Sequence, residues 1–444
     1  MSDSSAVSTR HIHRASGPIG AKVRPPGSKS ITNRMYMLAS LVRGDGVVRK
    51  PLRSADTDGL LVALETVGCK ARWEHDVVRI EGVNGRYPTG GSVNLGAGGT
   101  PARFMLAAAT RARMPVVVDG NTRMRERPVA EGVELLRKIG GGLEYAEEEG
   151  RLPVRVEPKE VLVGGRVEVA RTASSQFISA VMLVAPWTRD GVEVVFTDPP
   201  TSATYLDLTV QCLEWAGARP EVERADGVVR RIRVPACALD GFDIEVEADA
   251  SSAIYPAALA ALVPGSRVEI HGLPNTSIQP DLAAIFALRE AGVEIEVGEN
   301  HLVVVGPGQL KGFELDCRGF PDAAVMLAAM AGAASGPSRL FGLETLRVKE
   351  CDRVEALATE LSRIGCRIEA GEGELKIMPV ESMPADPVSI HTYDDHRIAM
   401  AFGVLGAARG GIVILDPDCA AKSHPGFFEE LDGLTRTAGN GDTA

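Results

Sequence analysis

Six times along this chain a polar head runs into a stretch of small apolar residues. The stretches begin near Ser30 (SITNRMYMLASLV), Gly99 (GTPARFMLAAAT), Ser174 (SSQFISAVMLVAP), Ser251 (SSAIYPAALAALV), Asp322 (DAAVMLAAMAGAA) and His396 (HRIAMAFGVLGAA), with successive starts 69 to 77 residues apart. Each is apolar on most sides, which predicts a buried helix rather than a surface one. Some 20 to 35 residues further on, each is followed by a helix with a single apolar face, such as DGLLVALETVGCKA or VEALATELSRIGCRIE. Most of these end in glycine, the usual helix stop, and several then alternate polar and apolar as strands do. The period describes six copies of a unit with two helices and several short strands, hence two domains of three copies each. We place the N-terminal domain at 28–246 and the C-terminal domain at 11–27 plus 247–434, with loose tails at 1–10 and 435–444. Two crossings of the chain between domains suggest a hinge and a cleft that closes on a ligand.

A buried helix start needs partners for its unpaired N–H groups. Ser30, Thr100, Ser174, Ser251 and Asp322 can serve simply as caps. The head at Pro25-Pro26-Gly27-Ser28-Lys29-Ser30-Ile31-Thr32-Asn33-Arg34 carries more than a cap requires. Lys29 and Arg34 add full charge to the positive end of a helix, and the natural guest there is a phosphate or carboxylate. It is not a nucleotide phosphate loop, since of that pattern's glycines only Gly27 is present. Gln176, and His396 with Arg397, are further groups that no cap needs. Between the repeats lie two basic runs, Arg123-Met124-Arg125-Glu126-Arg127-Pro128 and Arg347-Val348-Lys349-Glu350-Cys351-Asp352-Arg353, and Lys422 takes the comparable place in the last copy. Such runs are ordinarily solvated helix entries.

Composition narrows the classes. The chain has 444 residues, 45% hydrophobic and 24% charged, with a formal net charge of -11. That balance opposes a general nucleic-acid or membrane-surface binder, so positive charge for an anionic guest must be gathered locally. The seven cysteines form no C-x-x-C pair, which argues against a zinc site or disulfide framework and for a reducing compartment, read here as cytoplasmic. The longest apolar run is far short of the ~20 residues of a membrane helix.

Taken together, Pro-Gly-Ser-Lys-Ser with Asn33-Arg34, Leu95-Gly96 to Arg103, Arg123 to Pro128, Ser174-Ser175-Gln176-Phe177, Arg347 to Arg353, Asp395-His396-Arg397 and Ala421-Lys422 resemble the enolpyruvyl transferases across residues 25 to 425. The resemblance implies an α/β fold of two similar domains, each of three βαβαββ repeats around buried helices. It implies transfer of the enolpyruvyl group of phosphoenolpyruvate to the 5-hydroxyl of shikimate 3-phosphate. The hydroxyl adds to C2 while C3 is protonated, and the tetrahedral intermediate then loses phosphate. No metal, no organic cofactor, no nucleic acid and no membrane is implied, and a monomer is expected.

By the same resemblance, Lys29, Ser30, Arg34, Ser174, Ser175, Gln176, Ser202, Asp322 and Lys349 hold shikimate 3-phosphate, with Tyr205 packing on its ring. Lys29, the Gly99 backbone, Arg123, Gln176, Arg353, Arg397 and Lys422 hold phosphoenolpyruvate. Asp322 is the expected base for the hydroxyl proton, and Glu350, with Lys29, the expected agent at C3. Glyphosate is expected to compete with phosphoenolpyruvate. Ala97-Gly98 and Thr345 depart from the family pattern, which removes possible polar contacts but no charged one. Two rivals stay open: the sister enzyme acting on UDP-N-acetylglucosamine, which typically has a loop cysteine that this chain lacks near Arg123, and a non-catalytic anion-binding module.

Overall fold

The computed structural model describes residues 8–437 except 171 and 381. The chain divides into two compact units, Gly27–Val246 and Met1–Pro26 with Glu247–Ala444. Among the described residues the strands form six sheets.

In the unit Gly27–Val246, three helices are buried along nearly their whole length: Lys29–Leu41, Gly99–Ala109 and Ser175–Val184. Their sides carry Met, Leu, Ala, Phe and Ile, so no face tolerates water, and three four-stranded sheets cover them. Strand Val154–Glu157 alternates buried and exposed positions, as a sheet with one wet face requires. The repeat is clearest in its second copy: strand Gly91–Asn94, buried helix, strand Val116–Asp119, amphipathic helix Ala130–Lys138, then strands Gly142–Tyr145 and Val154–Glu157. Gly91–Asn94 runs parallel to Val116–Asp119, and the other two pairings are antiparallel. In the first copy the parallel place beside Arg43–Arg49 is filled by Asp243–Glu245, from the far end of the unit. Close packing here demands glycine: a Cβ on Gly46 would lie 2.4 Å from that of Ala39 on the first buried helix.

The other unit repeats the plan around helices Ala250–Leu262, Ala324–Ala331 and His396–Arg409. Strand Arg267–His271 takes its parallel neighbour from Gly20–Val23 near the start of the chain. The last sheet has three strands, and Thr9–His11 pairs antiparallel with Ile412–Leu415. Thr9 and Arg10, expected in a loose tail, are therefore sheet residues, and Arg10 is tied by ion pairs to Glu429 and Asp432. Helix Phe427–Thr437 likewise reaches past the expected tail boundary at 435. The Ser8 carbonyl accepts from the Asp416 N–H, and residues 1–7 and 438–444 lie outside the described residues.

The cap expectations need correcting. Ser28, not Ser30, caps the first helix, and Thr100 and Ser251 lie inside theirs. Asp322 is no cap: the helix Ala324–Ala331 starts after Ala323 and has no side-chain cap. Ser174 does cap, accepting from the Gln176 N–H at 3.3 Å.

Leu327 is fully buried in the core of its unit. Leu327→Ala should cost about 2–5 kcal/mol through lost transfer energy and an unfilled cavity. Urea unfolding followed by tryptophan-independent far-UV dichroism would measure it, and an unchanged midpoint would contradict the packing described.

Candidate functional site

Each unit brings its three buried helix starts together with charged groups. In the unit Gly27–Val246, Lys29 Nζ donates to Asp56 Oδ2 at 3.4 Å. Asp56 opens helix Ala55–Thr66 and lies beside Gly98, the residue before the second buried helix. Arg103, in the first turns of that second helix, donates to Gln176 Oε1 at 2.6 Å and lies over the Phe177 ring. This fixes the Gln176 amide so that its NH2 is the group left to donate to a guest. Ser202 holds a left-handed backbone (φ 50°) at the start of helix Ala203–Trp215, a conformation costly for a non-glycine residue and commonest where function demands it.

Arg34 lies almost wholly buried, as Arg353 does in the other unit. Only 1% exposed, it donates to Thr209 Oγ1 (2.9 Å), the Ser30 carbonyl (2.9 Å), Ser179 Oγ (3.4 Å) and the Tyr205 carbonyl (3.3 Å). Burial lowers its pKa, with Cys212 and Tyr205 opposing.

The basic run at 123–128 splits into an exposed and a buried arginine. Arg123, the arginine assigned to phosphoenolpyruvate, is 39% exposed and pairs with Glu126 at 2.7 Å. Arg127 is 5% exposed, and its guanidinium lies against Gly99, where an added Cβ would come within 2.8 Å of Nη1. The short helix Thr122–Glu126 ends just before Arg127, whose extended backbone turns it away from the direction of Arg123. The two arginines look alike in sequence, and only this helix end separates them.

In the other unit the expected residues form one connected network. Asp322 accepts from Lys349 (3.3 Å) and Arg353 (3.1 Å) at Oδ1 and from Arg397 (3.1 Å) at Oδ2. Arg353, 1% exposed, also donates to Glu350 Oε2 (2.9 Å) and in two-pronged fashion to Asp395 (2.7 and 3.2 Å). Lys422 closes the network on Glu350 Oε1 at 3.1 Å. Asp395 caps the last buried helix through the Arg397 N–H and follows Tyr393 and Asp394, both left-handed. Burial alone would lower the Arg353 pKa, but Asp395, Glu350 and Asp322 more than reverse that. Arg397 behaves the same way, with Asp322 the strongest of the groups opposing its burial.

Asp56, Arg103, Arg127, Asp281 and Asp395 belong to these clusters without having been singled out as site residues. Arg103, Arg127 and Asp395 stand inside the quoted motifs, which is the signal that could have found them. Asp281 carried no such signal: it sits in SIQPD and hydrogen-bonds Ser251 at the start of helix Ala250–Leu262.

A family model described as EPSP synthase (3-phosphoshikimate 1-carboxyvinyltransferase) matches residues 13–431. The chain is 38% identical to the 3-phosphoshikimate 1-carboxyvinyltransferase of Methanoculleus marisnigri, over 94% of this chain and 97% of that protein. It is 37% identical to that of Cellvibrio japonicus, over 92% of this chain and 95% of the relative. The solved structure of EPSP synthase from Acinetobacter baumannii has the same fold, with TM-score 0.78 and 24% identity over 96% of this chain and 98% of that one.

Burial, then the nearby Asp322, push the Asp281 carboxyl up from 3.8 to about 6, with Arg397 and Ser251 opposing. A carboxyl raised on folding binds more protons in the native state, so its ionisation costs nothing below about 4 and its full amount above about 6. Asp281→Asn should therefore gain stability relative to the native chain as pH rises through that window, and level off above it. Melting temperatures compared at pH 4, 5, 6 and 7 give the answer, and a pH-independent difference would count against it.

Proposed function

The chain belongs to the EPSP synthase family, and from that membership we propose which of its residues carry the reaction and how. The reaction is transfer of the enolpyruvyl group of phosphoenolpyruvate to shikimate 3-phosphate, with loss of phosphate, in aromatic biosynthesis. Both substrates are strongly anionic, so each needs several cations and helix-start N–H groups.

In this reading Lys29, Ser30, Ser174, Ser175, Gln176, Ser202 and Lys349 hold shikimate 3-phosphate. Arg34 braces the site from beneath through the Ser30 and Tyr205 carbonyls, and contributes charge. The Gly99 N–H, Lys29, Gln176, Arg127, Arg353, Arg397 and Lys422 hold phosphoenolpyruvate. Arg127 replaces Arg123 in that set because it is the buried one beside Gly99.

The observation that carries the proposal is Asp322, a carboxylate accepting from three cations. Asp322, Glu350 and Asp395 offset most of the charge of Lys349, Arg353, Arg397 and Lys422, three carboxylates against four cations. Arriving phosphate and carboxylate groups compete for Lys349, Arg397 and Lys422. That releases an Asp322 oxygen to take the 5-hydroxyl proton as the oxygen attacks C2. It also frees Glu350 Oε1 from Lys422; a proton taken up there from water, favoured by the substrates' negative charge, is delivered to C3 and returns to Glu350 in the elimination, while the proton on Asp322 leaves with phosphate. The arginines stabilise the departing phosphate. Seven cysteines that form no disulfide and an anionic small-molecule chemistry support a cytoplasmic enzyme, which we read as a monomer.

The test is phosphate release from phosphoenolpyruvate with and without shikimate 3-phosphate. Asp322→Asn should lower kcat ~10²–10⁴-fold, as loss of a general base does, with a much smaller change in KM. Near-normal turnover would falsify the base assignment. A second comparison separates the two arginines. Arg127→Ala should reduce kcat/KM for phosphoenolpyruvate by about 30-fold or more, the cost of losing a charge-assisted contact of ~2 kcal/mol or above. Arg123→Ala should stay within about threefold, as for an exposed ion pair. Equal losses, or the reverse order, would restore Arg123.

A further inference from the structure

Strands Arg267–His271 and His301–Val305 pair antiparallel with His271 directly opposite His301. Val268, Ile270, Leu302 and Val304 face the core, so Glu269, His271 and His301 share the outer face. One donor atom from each of these three lies within 4.8 Å of the others. His271 Nε2 is 2.7 Å from Glu269 Oε1, and the two imidazoles stack with centroids 5.4 Å apart. The His301 ring lies over Gly298, where any side chain would collide with it. The glycine therefore leaves room for the His301 imidazole beside the strand.

We propose that Glu269, His271 and His301 form a binding site for a borderline transition-metal ion of the zinc class. Two imidazoles and a carboxylate are the ligand set such ions take, with water completing the tetrahedron on this partly exposed face. Ligand bonds of about 2.0–2.2 Å put donor atoms about 3.3 Å apart, so the ion takes the place of the proton between His271 and Glu269 with a small opening of the pair. Lys22, across from Glu269 on the neighbouring parallel strand, pairs with the other carboxylate oxygen, Oε2, at 3.4 Å and leaves Oε1 to the ion. Arg267 on the same face is paired with Glu296. Binding would staple the first two long strands of this sheet together. The strand end is also where Gly272 accepts from the Ala248 N–H, just after the chain enters this unit at Glu247.

The experiment is calorimetric titration of the full, untagged chain, freed of metal by chelator, with zinc chloride and separately with magnesium chloride. One zinc equivalent should bind, and magnesium, which prefers oxygen ligands, should give no heat. His271→Ala and His301→Ala should each abolish the zinc heat, and Glu269→Gln should weaken it about tenfold or more. All three variants should keep their phosphate-release activity, which verifies the fold. Zinc binding should weaken in acid, because protons compete with the ion for the ligand atoms. No zinc heat in the native chain, or an unchanged zinc heat in both histidine variants, overturns the proposal.

Discussion

A helix with no polar side can lie inside a protein, but its first turn still presents unpaired N–H groups that must meet something. Everything functional in this molecule follows from how that requirement is met. In each unit three such helices start in the same neighbourhood, as interactions among their heads show: Arg103 with Gln176 and Arg34 with Ser179 in one, Arg397 with Asp322, Asp249 and Tyr255 in the other. Partial positive charge thus accumulates where the chain also sends Lys and Arg, and an overall acidic protein acquires local fields suited to anions.

Concentrated charge of one sign is expensive to maintain under a surface. The unit carrying Arg353 contains the cost by threading carboxylates among its cations. The Arg353–Asp395 pair is almost wholly buried, and pairs of that kind seldom add net stability, because desolvation consumes most of the attraction. Under the proposed assignment, their value lies in holding a guanidinium rigid before any substrate arrives. Asp322 and Glu350 are less buried than Asp395 and share their cations, which makes those bonds exchangeable for bonds to substrate oxygens. Under the proposed assignment, one set of side chains serves both as counter-ions at rest and as acid and base in turnover.

The sheets impose the second constraint. Each copy of the repeat needs a strand parallel to its central one. For two copies that strand comes from a distant part of the chain, Asp243–Glu245 in one unit and Gly20–Val23 in the other. Entry and exit of each unit are thereby sewn into its own sheets. The crossings at 26–27 and 246–247 follow directly from these pairings. Thr9–His11 performs a related task on the last sheet, covering a strand that would otherwise present bare hydrogen-bonding groups.

The six buried helices and their amphipathic partners were legible in the chain, because periodicity of apolar residues is a local property that spacing alone reveals; the number of short strands was not. The charged residue types and most of their positions were legible too, since Lys29, Asp322, Arg353, Arg397 and Lys422 stand at helix heads or in short motifs. Which of two neighbouring arginines turns inward was not. Arg127 rather than Arg123 meets Gly99 because a short helix ends between them, and the direction of a side chain after such an end depends on what packs there. Nor could spacing reveal that Arg34 would be consumed by Thr209, Ser179 and two carbonyls, or that Asp281, His271 and His301 would find partners. Those outcomes are set by residues distant in sequence, and only folding brings the groups within the few ångströms over which hydrogen bonds and metal ligands act.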